Sequence, residues 1–458
     1  MLAHWELTDA IDDAPTHRAA FLNRRFIMSQ RISSCLLFVG MVQLLATCTS
    51  DKPLVMSSRD EAAPEIVRPD YLKPSHDLQS VPTDISWTRF ERKHARQHIS
   101  SVTFEDFDND GDKDAFVTYV ETADISKCPP KASYCHKPTE PRVYENVRNE
   151  DMEARSASGS SSFRARPLHG FLHNTEKFFA GEVPQVINVR KALTGDYNGD
   201  GRPDLFLATH GPAVPPLDRE TAPMLLLSSN DGLIESGDLR DLVGYNHAAA
   251  SADIDNDGDL DILVSDSMNR STYFLLNDGR GSFSRSARHV PSELKRQPPT
   301  TMELVDVDGD GNIDLLVGGK ESRTLLSIYW GSRNGRFSSS RKTVLPPVDE
   351  YSIVVDIDVG DLDENGSRDI VVSRTRSDPR YKGYYVQFVS GSGNRKFLDQ
   401  TARRVDAARN DSGRWIQWLR LMDVNNDGHL DIQRQDSHDR DLAWINDGNG
   451  NFGVAKEP

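Results

Sequence analysis

The apolar positions of this chain fall into short alternating runs, and each run ends on a dense polar stretch. Val102 and Phe104, Met302 and Leu304, Ile357 and Val359, and Leu419 and Leu421 stand two apart, the period of a strand with one buried face. Nine mostly polar residues follow, and then a second apolar run at 115–120, 205–208, 262–264, 315–317 and 370–372. These runs are too short for helices and rich in β-branched residues, so they predict strands. A third strand then leads into a turn such as Asn277-Asp278-Gly279 ahead of Phe283, or Asn446-Asp447-Gly448 ahead of Phe452. Asp-Gly between apolar runs is a strong hairpin signal. Asn334-Gly335 before Phe337 and Gly393-Asn394 before Phe397 are shorter versions.

The polar stretches begin at 106, 196, 253, 306, 361 and 423, so the intervals are 90, 57, 53, 55 and 62 residues. A period near 55 with several short strands per unit predicts an all-β fold, a β-propeller of four-stranded blades over residues 84–458. The 90-residue interval is too short for two blades and reads as one blade with an insertion at about 121–180. Six blades follow, with seven as the alternative count. The chain ends soon after Phe452, so the last blade is expected to lack its outer strand, which residues 85–89 are placed to supply.

The content of the polar stretches adds chemistry to that outline. Residues 253–261 carry Asp253, Asp255, Asp257, Asp259 and Asp261 around Gly258. Carboxylates so closely spaced repel unless a hard cation binds them. In the EF-hand, side chains at positions 1, 3 and 5 and the carbonyl of 7 bind Ca²⁺, and a Gly at 6 makes the turn. Here an acid at position 9 closes the loop. The same five odd positions recur as Asp106, Asp108, Asp110, Asp112 and Asp114, and as Asp196, Asn198, Asp200, Arg202 and Asp204. They recur again as Asp306, Asp308, Asp310, Asn312 and Asp314, and as Asp361, Asp363, Asn365, Ser367 and Asp369. The last set is Asp423, Asn425, Asp427, His429 and Asp431. Positions 1, 3, 5 and 9 are expected to bind through side chains and position 7 through its carbonyl. This predicts about six Ca²⁺. Asn198, Asn365 and Asn425 lower the charge of their loops but keep an oxygen.

The loops and the turns together resemble the FG-GAP/VCBS repeat family, over about 84–458. The resemblance implies calcium-binding propeller blades of the kind found in integrin α-subunit heads and many bacterial secreted proteins. It implies the four side-chain positions of each loop as ligands and carries no further function.

The net charge of −16 suggests an acidic surface. Yet the six loops hold 24 of the 70 acids against only Lys113, Arg202 and Arg368. The acidity belongs to the ligand sets and does not argue for a basic partner. Without a basic stripe, nucleic acid is not an expected partner either.

Ahead of the repeats, Met28 and Arg31 precede an apolar run at 32–46, too short to span a bilayer and readable as a signal peptide. It ends in Leu45-Ala46-Thr47-Cys48, which resembles a bacterial lipobox with Cys48 as the acylated residue. Residues 1–27 then read as an extension before the true start, and 49–83, polar and Pro-punctuated, as a flexible linker. The expectation is an outer-membrane or cell-surface lipoprotein, with a periplasmic or secreted protein as the alternative. Cys128 and Cys135 are expected to form a disulfide in such a compartment, with metal binding alongside His136 as the alternative.

Three functions fit. The first is a surface or periplasmic binding or adhesion module for an unidentified glycan or protein. The second is a lyase-like enzyme acting on polysaccharide, and the third a structural envelope assembly factor. No G-x-S-x-G, H-E-x-x-H or P-loop is present, so no catalytic residue is assigned. The connections after the second strands, at 121–141, 210–222 and 374–382, are long and fall opposite the calcium loops. That face is the expected binding face, with Arg374, Arg376, Arg380, Tyr381 and Tyr384 as contacts. Trp415 and Trp418 read as core, with sugar stacking as the alternative, and a lone His247 as structural.

Overall fold

The computed structural model describes residues 97–455 apart from 125, 127, 129–134, 149–168, 212–220, 426 and 435–441. The signal peptide, lipobox and linker readings, and the strand expected at 85–89, fall outside the described residues. Among the described residues no helix is long and apolar enough to cross a membrane.

Six antiparallel blades of four strands form a β-propeller. Their inner strands are Gln97–Glu105, Val189–Gly195, Asn246–Ala252, Thr301–Val305, Ile353–Gly360 and Leu419–Met422, which define blades 1 to 6. The second strands are Asp114–Thr122, Asp204–Thr209, Asp261–Asp266, Asp314–Gly318, Asp369–Thr375 and Asp431–Arg434. Every second strand therefore starts on position 9 of a loop. In all six blades that Asp pairs with the residue preceding position 1, as Glu105 with Asp114 or Val305 with Asp314. One register repeated six times puts all six loops on one face. The connections from second to third strands lie on the other.

The last blade is complete in its own stretch of chain. Its outer strand, Phe452–Val454, pairs with Ala443–Asn446, which corrects the expectation that the blade needs a strand from elsewhere. The turn at 447–451 is tight enough to fit a fourth strand into the few residues left. Blade 1 carries its insertion after the second strand, where His136–Lys137 adds a short fifth strand and Cys128 and Cys135 form a disulfide.

The core is a ring of apolar clusters, one at each blade interface, because both faces of every blade are covered by neighbours. One device recurs in it: the Phe after each turn packs on an aromatic ring of the preceding blade. Phe283 meets Tyr197 at 6.0 Å, Phe337 meets Phe274 at 6.2 Å, Phe397 meets Trp330 at 6.2 Å and Phe452 meets Phe388 at 5.5 Å. The turn Asn does a matching polar task. Asn277 Nδ2 donates to the Tyr197 carbonyl of the preceding blade at 2.9 Å, and Asn446 Nδ2 to that of Leu362 at 2.8 Å. The ring closes where Met422 and Val424 of blade 6 pack on the blade 1 cluster and Trp418 Nε1 donates to the Ser100 carbonyl at 3.1 Å.

Near their starts the inner strands of blades 1, 2, 3 and 5 slip register by one residue, which leaves Ser100, Arg190, His247 and Val355 without a ladder partner. Such a bulge re-aims the extra side chain. All four lie at the strand ends away from the metal loops.

Candidate metal centres and the axial pocket

The six loops share one hydrogen-bond code. The position 1 carboxylate accepts the position 6 N–H, as from Gly111 to Asp106 at 3.0 Å or Gly428 to Asp423 at 2.8 Å. The position 5 oxygen accepts the position 7 N–H, including those of Arg202, Ser367 and His429. At position 9, one carboxylate oxygen accepts the position 2 N–H and the other accepts an N–H at the end of the third strand. For Asp314 these donors are Val307 at 2.9 Å and Gly331 at 2.7 Å, and the other five loops repeat the pair. Position 9 is thus a clasp between loop and blade whatever else it binds.

The sequence reading passed over position 4. It is left-handed in every described copy: Asn109, Gly199, Asn256, Gly309 and Glu364 all have φ between 55° and 75°. Asn and Gly tolerate that region best, and their recurrence at this position was the available signal.

The code gathers oxygen donors. Asp106, Asp108 and Asp114 form one group, Asp306, Asp308 and Asp314 a second, and Asp361, Asp363 and Asp369 a third, each with ligand atoms within 4.8 Å of one another. In blade 3 the group is Asp253, Asp255 and Asp257. Loops 196–204 and 423–431 form no such three-acid group among the described residues, since Asn198 and Asn425 hold position 3. Oδ1 of Asp108, Asp253, Asp255 and Asp363 is buried without a hydrogen-bond partner among the described residues. Buried, unbonded carboxylate oxygens facing other carboxylates fit a hard cation that takes oxygen ligands. Burial, with neighbouring Asp charges adding to it, pushes the position 9 carboxyls up: Asp114 to about 8, Asp261 and Asp314 to about 7, and Asp204, Asp369 and Asp431 to about 6.

Basic side chains from outside the loops also reach position 3, which the sequence did not suggest. Lys177 meets Asp108 at 2.5 Å, Arg395 meets Asp308 at 2.5 Å and Arg404 meets Asp363 at 3.4 Å.

On the opposite face the expected contacts separate. Arg374 is fully buried, its Nη1 on Glu321 and its Nε on Gln387, both at 2.7 Å. Tyr384 lies in the core, edge-on to Trp444. These two are corrected from surface contacts to packing residues, because both sit on strands rather than in the loop between them. Arg376 pairs with Glu350 and Asp411, and Arg380 stacks over Tyr381. Trp418 is core, whereas Trp415 is half-buried and meets Tyr381 at 5.0 Å between ring centres. That pair stands at the rim of a pocket at the mouth of the central channel, lined further by Asn188, Arg190, His210 and His247.

The family model described as an FG-GAP-like repeat matches residues 196–264, 253–317 and 306–372. Each match begins on position 1 of a loop and ends within the second strand of the next blade, so the chain carries FG-GAP-like repeats across 196–372. No curated protein matches the chain. Among solved structures it is similar to the V. cholerae biofilm matrix protein Bap1, at 15% identity and a TM-score of 0.31, over 65% of this chain and 37% of that one. The chain thus spans little more than a third of Bap1. It is also similar to a candidate gluconolactonase, at 12% identity and a TM-score of 0.28, over 58% of this chain and 81% of that one.

Proposed function

We propose that these FG-GAP-like repeats build an exported, calcium-stabilised propeller that works as a binding or adhesion module for a glycan or a protein. The supporting observation is the difference between the two faces. On one, six loops of equal length repeat a single hydrogen-bond code around their acids, which leaves little freedom to vary a contact surface. On the other, the connections differ from blade to blade and surround a pocket. Binding sites concentrate on variable loops held by a rigid scaffold.

Positions 1, 3, 5 and 9 would hold the ion by their side chains. Calcium supplies the positive charge that relieves the repulsion among them. At tenfold excess over Kd each site adds about 1.4 kcal/mol, so six sites supply roughly 8 kcal/mol. Melting with calcium and with EDTA tests this; an unchanged Tm removes the calcium half of the proposal. The expected anchor is a lipid on Cys48, and two or more acyl chains would hold the protein stably at a membrane. Fractionation of wild type against Cys48→Ala tests it, and equal solubility of the two rules the lipid out. For the binding half, replacing 377–382 by a short Gly-Ser turn should weaken retention on a glycan or protein partner with little change in Tm. If retention instead follows surface changes beside the calcium loops, the faces are assigned the wrong way round.

A further inference from the structure

The turn between the third and fourth strands carries an outlier in blade 5. Two residues before the Phe that follows each turn, blades 3, 4 and 6 have Gly281, Gly335 and Gly450, all left-handed at φ between 65° and 77°. Blade 5 keeps the conformation but puts Arg395 there, at φ +60°. An arginine is strained in that region where glycine is not, and such strain collects at functional sites.

That position looks at the metal loop of the preceding blade. A Cβ on Gly281 would stand 3.6 Å from Cβ of Asn198, and one on Gly450 2.7 Å from Cβ of Asp363, each the position 3 residue of that loop. One on Gly335 would stand 2.6 Å from the carbonyl oxygen of Ile254, at position 2. A side chain grown from this turn is thus delivered to the ligand set, and in blade 5 it arrives with a positive charge. Arg395 Nε donates to Asp308 Oδ2 at 2.5 Å, and Nη2 donates to Asp310 Oδ2 at 3.1 Å. The guanidinium lies over the Trp330 ring, 4.5 Å from its centroid, which limits the orientations of the fork.

The blade 4 loop is saturated as a result. Asp308 Oδ1 accepts the Asp310 N–H at 3.2 Å, and Asp310 Oδ1 accepts the Asn312 N–H at 2.9 Å. Asp306 and Asp314 accept backbone N–H groups on both oxygens. Every carboxylate oxygen at positions 1, 3, 5 and 9 of this loop therefore has a donor. The loops of blades 1, 3 and 5 differ. Each keeps buried Oδ1 atoms without a hydrogen-bond partner among the described residues, on Asp108, on Asp253 and Asp255, and on Asp363. Lys177 and Arg404 also reach the loops of blades 1 and 5, but each pairs with position 3 and leaves its Oδ1 open.

We infer that Arg395 is an internal counter-ion for the blade 4 loop, bridging Asp308 and Asp310 where the other loops rely on the metal. This loop then takes calcium only by giving up the guanidinium, and more weakly than the loop of blade 3. A fork shared by two carboxylates is a charge-assisted contact, so blades 4 and 5 stay latched when calcium leaves the other loops. This rests on the calcium reading of the loops proposed above.

Calorimetric calcium titration of the EDTA-stripped protein tests the inference. Arg395→Gly gives blade 5 the residue of the other turns, and Arg395→Asn also tolerates the left-handed region. Both variants should tighten one calcium site by at least about tenfold, the worth of one charge-assisted hydrogen bond. Adding Asp310→Asn should weaken that site again, which places it in blade 4. In melts, both variants should lower Tm more in EDTA than in calcium, because calcium replaces the lost counter-charge. If one variant fails to fold, the other decides. A residue that merely packs on Trp330 would lower Tm equally in both media and leave the calcium sites unmoved, and that result overturns the assignment. So does a weakened site in either variant. Calcium binding that is indifferent to residue 395 removes this inference alone, whereas a wild type that binds no calcium removes the calcium reading and the inference with it.

Discussion

At the scale of single residues, position 9 of each loop separates structural work from metal work. Asp314 accepts two backbone N–H groups, one on each oxygen, so Asp314→Asn places an amide N–H₂ against an N–H that has lost its acceptor. It should cost about 1–3 kcal/mol in EDTA, and more in calcium, where the same carboxylate would be a ligand. Asp257→Asn keeps the carbonyl oxygen that position 5 needs and should lower Tm in calcium only; equal losses in EDTA would show that position 5 acts as structure. The buried carboxyls also set a pH dependence. Their folded pKa values are raised above the usual carboxylate value, to about 8 at Asp114 and about 6 to 7 in the other loops. The metal-free folded state therefore binds more protons than the unfolded chain, and its stability falls as pH rises from about 4 to about 8. Calcium holds these groups ionised and removes the penalty. The Tm gain from calcium should therefore be larger at pH 8 than at pH 5, by scanning fluorimetry in calcium and in EDTA. A gain that shrinks with rising pH would contradict the assignment.

At the scale of elements, the turn motif ties each blade to the one before it. Asn277 and Phe283 both reach Tyr197 across a blade boundary, so the sequence repeat spells an interface as well as a hairpin. Asn277→Ala leaves the Tyr197 and Leu260 carbonyls without their side-chain donor and should cost about 1–3 kcal/mol. Phe337→Ala opens a cavity against Phe274 and should cost about 3–5 kcal/mol; denaturant melts that place both below about 0.5 kcal/mol would refute the wedge. The strands, the loops and the opposite placement of the insertions were legible because each rests on local periodicity and composition. The bulges were not, because a slip of one residue leaves both flanking alternations intact. The axial pocket was hidden for a related reason: Arg190 and His210 of blade 2, His247 of blade 3 and Trp415 ahead of blade 6 are far apart in the chain, and only the ring brings them together. Arg374 was misjudged because a buried arginine looks like an exposed one until Glu321 and Gln387 are seen around it.

At the scale of the whole molecule, a propeller stands or falls on how its ring closes, and among the described residues this ring closes without exchanging a strand. Blade 6 is complete through Phe452–Val454, so the seam with blade 1 is held by side chains. Among the described residues blade 6 puts Met422 and Val424 into that apolar cluster, joined by the Trp418 bond to Ser100. The interfaces of blades 2 to 6 have, in addition, the Phe wedge, and two of them the Asn bridge. Local opening starts where the fewest buried contacts hold two elements together, so the ring should open first between blades 6 and 1. Hydrogen exchange in EDTA should then be faster in Gln97–Glu105 and Leu419–Met422 than in Asn246–Ala252 and Thr301–Val305. Met422→Ala removes the larger of the two side chains that blade 6 places in the seam's apolar cluster and should cost about 2–5 kcal/mol. Its effect on exchange should concentrate in the two seam strands, with Thr301–Val305 nearly unmoved. Uniform exchange across the six inner strands, or a Met422→Ala effect spread evenly around the ring, would mean that the propeller unfolds as one cooperative unit with no weak seam.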